Sequence, residues 1–443
     1  MNLKVRKPPN DLAGSGWYEI LPEPPPPEIL DSTINADWVV IGGGFTGLTT
    51  ARRLLENCPD DRIVVLDAQR IGWGAAGRNS GFMIDLPHDL QSKDYSGGTT
   101  RDRNQIKMNR FAIGYAKSMV NEYGLHSFMD TGGKINAATD VQGMNALRAY
   151  SEHLRELDES FEEYDAQVLK EITGIDYYAG GIHTPGCVQV QPAGYIRGIA
   201  QGLLQSSKNI KIYENSPITE IVSGETKRIK TPKGEVLSNR VVLAVNGHLE
   251  SFGLFSKRLM HVFTYGSMTR QLSVDELNRL GGRDQWGITP AHPMGTTVRK
   301  VKEGRIVVRN VFTYNGNMET TKDQVSQTGK RHDKAFRNRF PMLKDVSMEY
   351  RWGGHLCLSL NSAPAFGEVE KGVFASGCQN GLGAVQGTLG GILIADLASG
   401  RDNPMIKSLI EPGEPAKLYP EPFMTIGAKM NLWWNHLRAG KDL

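Results

Sequence analysis

The sequence predicts a mixed α/β fold, with a parallel sheet begun early in the chain and an antiparallel sheet in its middle. Three observations carry this reading. The apolar run Ala36 to Ile41 meets a glycine turn, Gly42 to Gly47, and Leu48, Ala51, Leu54 and Leu55 then follow at helical spacing. A second apolar run, Arg62 to Leu66, completes strand, turn, helix and strand in about 30 residues, the pattern of a βαβ unit. Between residues 260 and 315 polar and apolar residues alternate, as in Gly304 to Asn310, which is the period of antiparallel strands.

The remaining elements follow in chain order. Residues 1–35 carry little apolar pattern and include Pro22-Glu-Pro-Pro-Pro-Pro27, which favours an extended polyproline arm, either a passive tail or an arm packed on the body. Residues 101–123 and 142–157 read as amphipathic helices, the first marked by Ile106, Phe111, Ile113, Met119 and Val120. Residues 188–206 give a short strand and a helix, and Arg240 to Val245 is a buried strand ending at Asn246-Gly247. Gly372 to Gly377 is a last strand entering a glycine-rich turn, a helix covers 383–398, and 401–443 is a C-terminal tail.

Composition narrows the function classes. Of 443 residues, 51 are Lys or Arg and 48 Asp or Glu, a net +3 that gives no argument for a nucleic-acid partner or an anionic surface. The 50 glycines are an excess without collagen-like period, so they point to tight turns or close approaches to a ligand. Four scattered cysteines form neither a disulfide framework nor a zinc site, and no metal site is expected. The first residues lack a hydrophobic signal core and there is no apolar run long enough for a membrane span, so a cytoplasmic protein is expected, its oligomeric state open.

Three glycine-lined bends carry the chemistry. In the first, Gly42 allows the tight turn, Gly44 lets a pyrophosphate approach the backbone, and Gly47 lets helix and strand pack; Phe45 and Thr46 open the helix whose amides face the phosphates. Asp67, followed by Ala68, ends the next strand twenty residues after Gly47, where a carboxylate accepts from ribose hydroxyls. The second bend, with Gly74, Ala75, Gly77, Arg78, Asn79, Ser80 and Gly81, is a run of mostly small residues fit to wrap a bulky planar ring, which favours flavin over nicotinamide. The third, with Gly377, Gly381, Leu382 and Gly383, is another strand–glycine–helix junction able to aim a helix dipole at developing negative charge.

Together these bends resemble the FAD-dependent oxidoreductases of the D-amino-acid oxidase type, over most of residues 36–400. Ile71 to Gly81 and Trp352 to Pro364 are most similar to the γ-glutamylputrescine oxidase branch. The resemblance implies a discontinuous Rossmann-like FAD-binding domain (36–90, 180–250 and 350–400) with an interposed antiparallel-sheet substrate domain (91–179 and 251–349). It also implies that Ile218 sits near the adenine. It further implies oxidation of a primary or secondary amine, γ-glutamyl-polyamine-like or an N-substituted amino acid, to an imine that hydrolyses to an aldehyde or keto product. Whether such an enzyme is an oxidase or a dehydrogenase is left open. The family's carboxylate-binding arginine is replaced by Leu356 and its lysine by Val385, which disfavours a simple α-amino acid. A flavin-tethering cysteine would fall near Gly354 rather than Cys357, so the FAD is expected to be noncovalent. Candidate proton-handling or substrate residues are His355, His88, Tyr265 and Arg299, the last for a carboxylate remote from the amine. The alternatives are a nicotinamide-dependent dehydrogenase, which needs only the first bend, and a non-catalytic FAD-binding subunit.

Overall fold

The computed structural model describes residues 2–87 and 98–443; His88 lies outside the described residues. At its centre is a six-stranded sheet in the order Ile210–Tyr213, Ile63–Leu66, Trp38–Ile41, Arg240–Leu243, Val373–Gly377 and Ala365–Glu370, parallel except for the last pair. Trp38–Ile41 and Ile63–Leu66 are buried on both faces, which is why they read as unbroken apolar runs. Trp38 and Val40 point to one layer, where they meet the helices Phe45–Asn57, Thr99–Tyr123, Pro192–Ser206 and Gly383–Ala398. Val39 and Ile41 point to the other, against Leu3, Ile221, Ile229 and Val236 of a five-stranded sheet.

The second large sheet has eight strands, in the order Met348–Leu358, Met260–Thr269, Arg305–Tyr314, Thr297–Val301, Trp286–Pro290, Lys134–Ala138, Gly180–Thr184 and Glu162–Asp165. It is antiparallel except where Trp286–Pro290 runs parallel to Lys134–Ala138. Two strands from the stretches expected to form the FAD-binding domain pair within this sheet. Met348–Leu358 pairs with Met260–Thr269 along its length, and Gly180–Thr184 pairs with Lys134–Ala138, so both join this sheet and not the parallel one. Backbone pairing joins segments far apart in sequence, which composition along the chain does not reveal.

The N-terminal arm packs on the body. Leu3–Lys4 pairs with Glu220–Val222 and Thr33–Asn35 with Glu235–Ser238. Between them Ser15 caps the single turn Gly16–Glu19. Trp17 is fully buried and its Nε1 donates to the Asn79 carbonyl at 2.9 Å, while Gln191 Nε2 donates to the Trp17 carbonyl at 2.6 Å. The C-terminal tail holds two helices, Met405–Ile410 and Phe423–Arg438. No helix among the described residues is long and apolar enough to cross a membrane.

Candidate active site

Two helix starts from opposite ends of the chain open on one cavity. The helices Val141–Glu156, Ala166–Thr173, Pro192–Ser206 and Lys322–Arg339 each carry a side-chain N-cap, from Asp140, Asp165, Gln191 and Thr321. Phe45–Asn57 and Gly383–Ala398, like Thr99–Tyr123 and Phe423–Arg438, carry none. Their first amides therefore lack the partner that a helix start normally finds in its own sequence. Gly44 and Phe45 of the first, and Gly381 and Gly383 at the second, line the same cavity. Such paired, uncapped starts suit an anionic group.

The glycines of the first bend divide by role. Gly42 has φ +102°, which a side chain resists, and a Cβ on Gly47 would lie 1.7 Å from the Gly42 carbonyl oxygen. These two fix the turn. A Cβ on Gly44 would touch only the Ala76 methyl, at 3.3 Å, because that face of the backbone is open to the cavity. Asp67 lines the cavity and accepts from the Gly43 amide at 2.7 Å and the Gln69 amide at 2.8 Å. Burial raises its carboxyl to about 6 against the lowering effect of those two amides. Each carboxylate oxygen keeps a second lone pair for a ribose hydroxyl.

Phe45, Thr46, Ala68, Gly74, Ala75, Asn79 and Ile218 also line this cavity, with His355 further along its wall. Other residues of the three bends stand behind it. A Cβ on Gly77 would meet the Gly72 carbonyl at 1.8 Å, and one on Gly377 the Asn246 carbonyl at 2.8 Å, so both glycines serve close backbone packing. Gly81 accommodates φ +81° beside the Val190 carbonyl. Leu382 faces a neighbouring pocket that shares Gln379 with this one. Arg78 is buried and ties three segments together: it donates to the carbonyls of Trp73, Gly353 and Ala13, and pairs with Asp11 at 3.3 Å.

Two expected substrate contacts lie off the cavity wall. Arg299 Nη1 donates to the carbonyls of Ser80 and Val190, both at 2.8 Å, and its guanidinium lies between the rings of Trp17 and Phe82. Burial lowers its pKa to about 10, so it stays charged and clamps the second bend to the eight-stranded sheet. Tyr265 is buried and its hydroxyl bonds those of Thr313 at 2.8 Å and Thr320 at 3.1 Å.

His355 is part of a cluster. Its Nε2 lies 3.1 Å from His261 Nδ1, and His261 Nε2 lies 2.7 Å from Glu250 Oε2. The His248 ring packs edge-on at 5.5 Å and the Phe263 ring stacks at 5.2 Å. Burial, then the neighbouring His248 and His261, hold His355 well below the usual imidazole value; burial likewise lowers His248 to about 4. Burial works to raise the Glu250 carboxyl, but the hydrogen bonds from His261 and the Lys257 amide leave it below its ordinary value. The signal that finds His261 and Glu250 is spatial: strand register sets Phe263 opposite His355 and His261 opposite Cys357.

Leu356 lines both this cavity and a second cleft of about 1080 Å³. Met260, Val262, Phe312, Leu358 and Met424 make that cleft mostly apolar, with His292, Tyr314 and Arg438 among its polar lining. Among the described residues no cluster of side chains could hold a metal ion.

Sequence comparison agrees with this geometry. The family model described as FAD dependent oxidoreductase matches residues 37–397. The chain is 26% identical over 380 residues to the γ-glutamylputrescine oxidoreductase of Escherichia coli K12, covering 85% of this chain and 86% of that one. The fold is similar to that of glycine oxidase from Geobacillus kaustophilus, with a TM-score of 0.70 at 17% identity, covering 87% of this chain and 100% of that one. It is also similar to that of iminodiacetate oxidase from Chelativorans sp. BNC1, with a TM-score of 0.66 at 15% identity, covering 85% and 98%. The uncapped helix starts, the open face of Gly44 and the placement of Asp67 fit a dinucleotide, and the family match spans all three glycine bends: the chain belongs to the FAD dependent oxidoreductases.

Proposed function

We propose that this enzyme oxidises the C–N bond of a primary or secondary amine to an imine, which water then hydrolyses to an aldehyde or keto product. The observation that carries the proposal is that Leu356 lines both the dinucleotide cavity and a large apolar cleft, next in sequence to His355 on the cavity wall. The bound FAD supplies the two-electron acceptor. The protein supplies position, dryness and a place for the proton. The cleft sequesters the substrate body among apolar side chains, and leucine at 356 offers no cation to a carboxylate beside the reacting carbon. That favours an N-substituted amino acid or a γ-glutamyl-polyamine-like compound over a simple α-amino acid, in keeping with the substrate named for the E. coli relative.

Hydride loss needs an uncharged amine, so a group must accept the ammonium proton. The histidine cluster orders one. Glu250, held ionised, accepts from His261 Nε2–H; His261 Nδ1 is then the acceptor for His355 Nε2–H, and His355 Nδ1 remains as the base. A proton taken at His355 Nδ1 passes as His355 Nε2–H moves to His261 Nδ1 and His261 Nε2–H moves to Glu250. Noncovalent FAD is favoured because hydrogen bonding with Cys378, and then burial, push the Cys357 thiol well above its ordinary pKa, which suppresses the thiolate. The family match removes the nicotinamide-only alternative.

Anaerobic titration of the holoenzyme against polyamines, their γ-glutamyl conjugates, N-alkyl amino acids and opines tests the proposal. Bleaching of the flavin by at least one amine is expected, and reoxidation in air then separates oxidase from dehydrogenase. A flavin that no member of the panel bleaches supports the non-catalytic subunit instead.

A further inference from the structure

The C-terminal helix Phe423–Arg438 is sided in an unusual way. Met424 is buried, and the Phe312 amide donates to His436 Nε2 at 3.3 Å, so one face is packed against the eight-stranded sheet. The opposite face is bare. Phe423, Ile426, Met430, Trp433, Trp434 and Leu437 are each between 52% and 71% exposed. They recur at steps of three and four, which at about 100° per residue makes a single stripe roughly 100° wide. Among the described residues, the other large side chains of this kind that are as exposed are Val141 and Val274, which stand singly, and Tyr419, four residues before Phe423.

Charge decides what covers the stripe. On a helical projection Lys429 lies at one edge and Arg438 at the other, Lys441 follows, and no Asp or Glu occurs from 423 to 441. The whole-chain balance of +3 hides this segregation. A second copy pairing in parallel through the same stripe would bring these cations together, and an antiparallel one would offer each end only Glu421, already held by Tyr314 and the Thr425 amide, against Arg438 and Lys441, which opposes self-association. An anionic bilayer complements both features: acyl chains take the stripe, headgroup phosphates take the flanking cations, and the paired indoles, 6.4 Å apart, suit the boundary between them. Sixteen residues are too few to span. We propose that Phe423–Arg438 docks the enzyme peripherally on anionic lipid, lying in the plane of the interface. Its packed face, with Phe423 and Trp434 at the stripe's edge, bounds the apolar cleft, so docking sets that wall of the cleft against the bilayer.

The test uses full-length holoenzyme and flotation with vesicles of phosphatidylcholine, with and without phosphatidylglycerol. Binding to the anionic vesicles is expected, about tenfold tighter than to phosphatidylcholine alone and weakened by salt. Met430→Ser/Trp433→Ser should reduce that binding at least about tenfold with FAD content unchanged, because both side chains face solvent and neither borders the cleft. Lys429→Glu/Lys441→Glu should reduce it at low salt while leaving the stripe whole. Failure to float with either vesicle, equal binding to both, or binding untouched by the variants overturns the proposal. So does a dimer, seen by light scattering, that Met430→Ser/Trp433→Ser splits into monomers.

Discussion

At the scale of single residues, two glycines three positions apart in the first bend make opposite demands. A side chain on Gly44 meets only the Ala76 methyl, so Gly44→Val should fold and fail to retain FAD. A side chain on Gly47 would run into the Gly42 carbonyl, so Gly47→Val should lose both cofactor and thermal stability. Flavin absorbance and melting temperature measured on both variants check the pair; a flavin-replete Gly44→Val protein would contradict the role given to that turn. The histidine chain makes a second demand, on pH. A missing proton acceptor matters most where the amine is charged. His355→Leu should therefore slow flavin reduction about a hundredfold near neutrality and much less at alkaline pH, with Glu250→Gln a weaker copy of the same profile. A deficit that is constant across pH would assign His355 to packing. Gly44 was legible because its signal is local, a glycine between an apolar strand and an apolar helix. His261 and Glu250 were not, because strand pairing, not spacing, brings residue 261 to residue 355.

At the scale of elements, the helix Lys322–Arg339 shows how burial of one ring links packing to pH. His332 is buried, and its Nδ1 lies 2.7 Å from Ser267 Oγ on the strand Met260–Thr269. Burial holds its pKa near 3, against 6.5 for a free imidazole. The unfolded chain takes up this proton below about pH 6.5 while the folded chain refuses it, so stability falls as pH drops from about 6.5 towards 3, by at most about 5 kcal/mol for this one group. Melting temperatures followed from about pH 7 to pH 4 should decline, and more gently in His332→Asn; identical slopes would show that other groups set the acid limb. The same scale explains what the sequence could and could not show of the fold. The βαβ unit, with its apolar strands and amphipathic helix, and the helix at 383–398, an almost unbroken buried apolar run, stand where they were expected. The arm has no period to read: its place is set by Trp17, Ser15 and Arg78, whose partners lie on the second bend 60 or so residues on, or on the arm itself.

At the scale of the whole molecule, the dinucleotide cavity is assembled from segments that the chain keeps far apart. Its wall includes Val5 and Asn10 of the arm, Gly44 and Asp67 of the βαβ unit, Ile218 beside the five-stranded sheet, and Phe263 and His355 of the eight-stranded sheet. A ligand that touches all of these binds the folded chain and has no comparable site on the unfolded one. Its binding energy therefore appears as stability of the entire structure, by about 2.7 kcal/mol when free ligand is a hundred times its dissociation constant. FAD added to apoprotein should raise the melting temperature by several degrees in a concentration-dependent way, while FMN, which lacks the adenosine that Asp67 and Ile218 are placed to hold, should raise it less. The arm closes one side of the cavity through the Arg78–Asp11 pair, so FAD should also slow proteolytic cleavage before Trp17. Both readouts are independent of turnover. Equal shifts with FAD and FMN would mean that the adenosine half is not held where the first bend and Asp67 place it, and arm cleavage indifferent to FAD would separate the arm from the cofactor site.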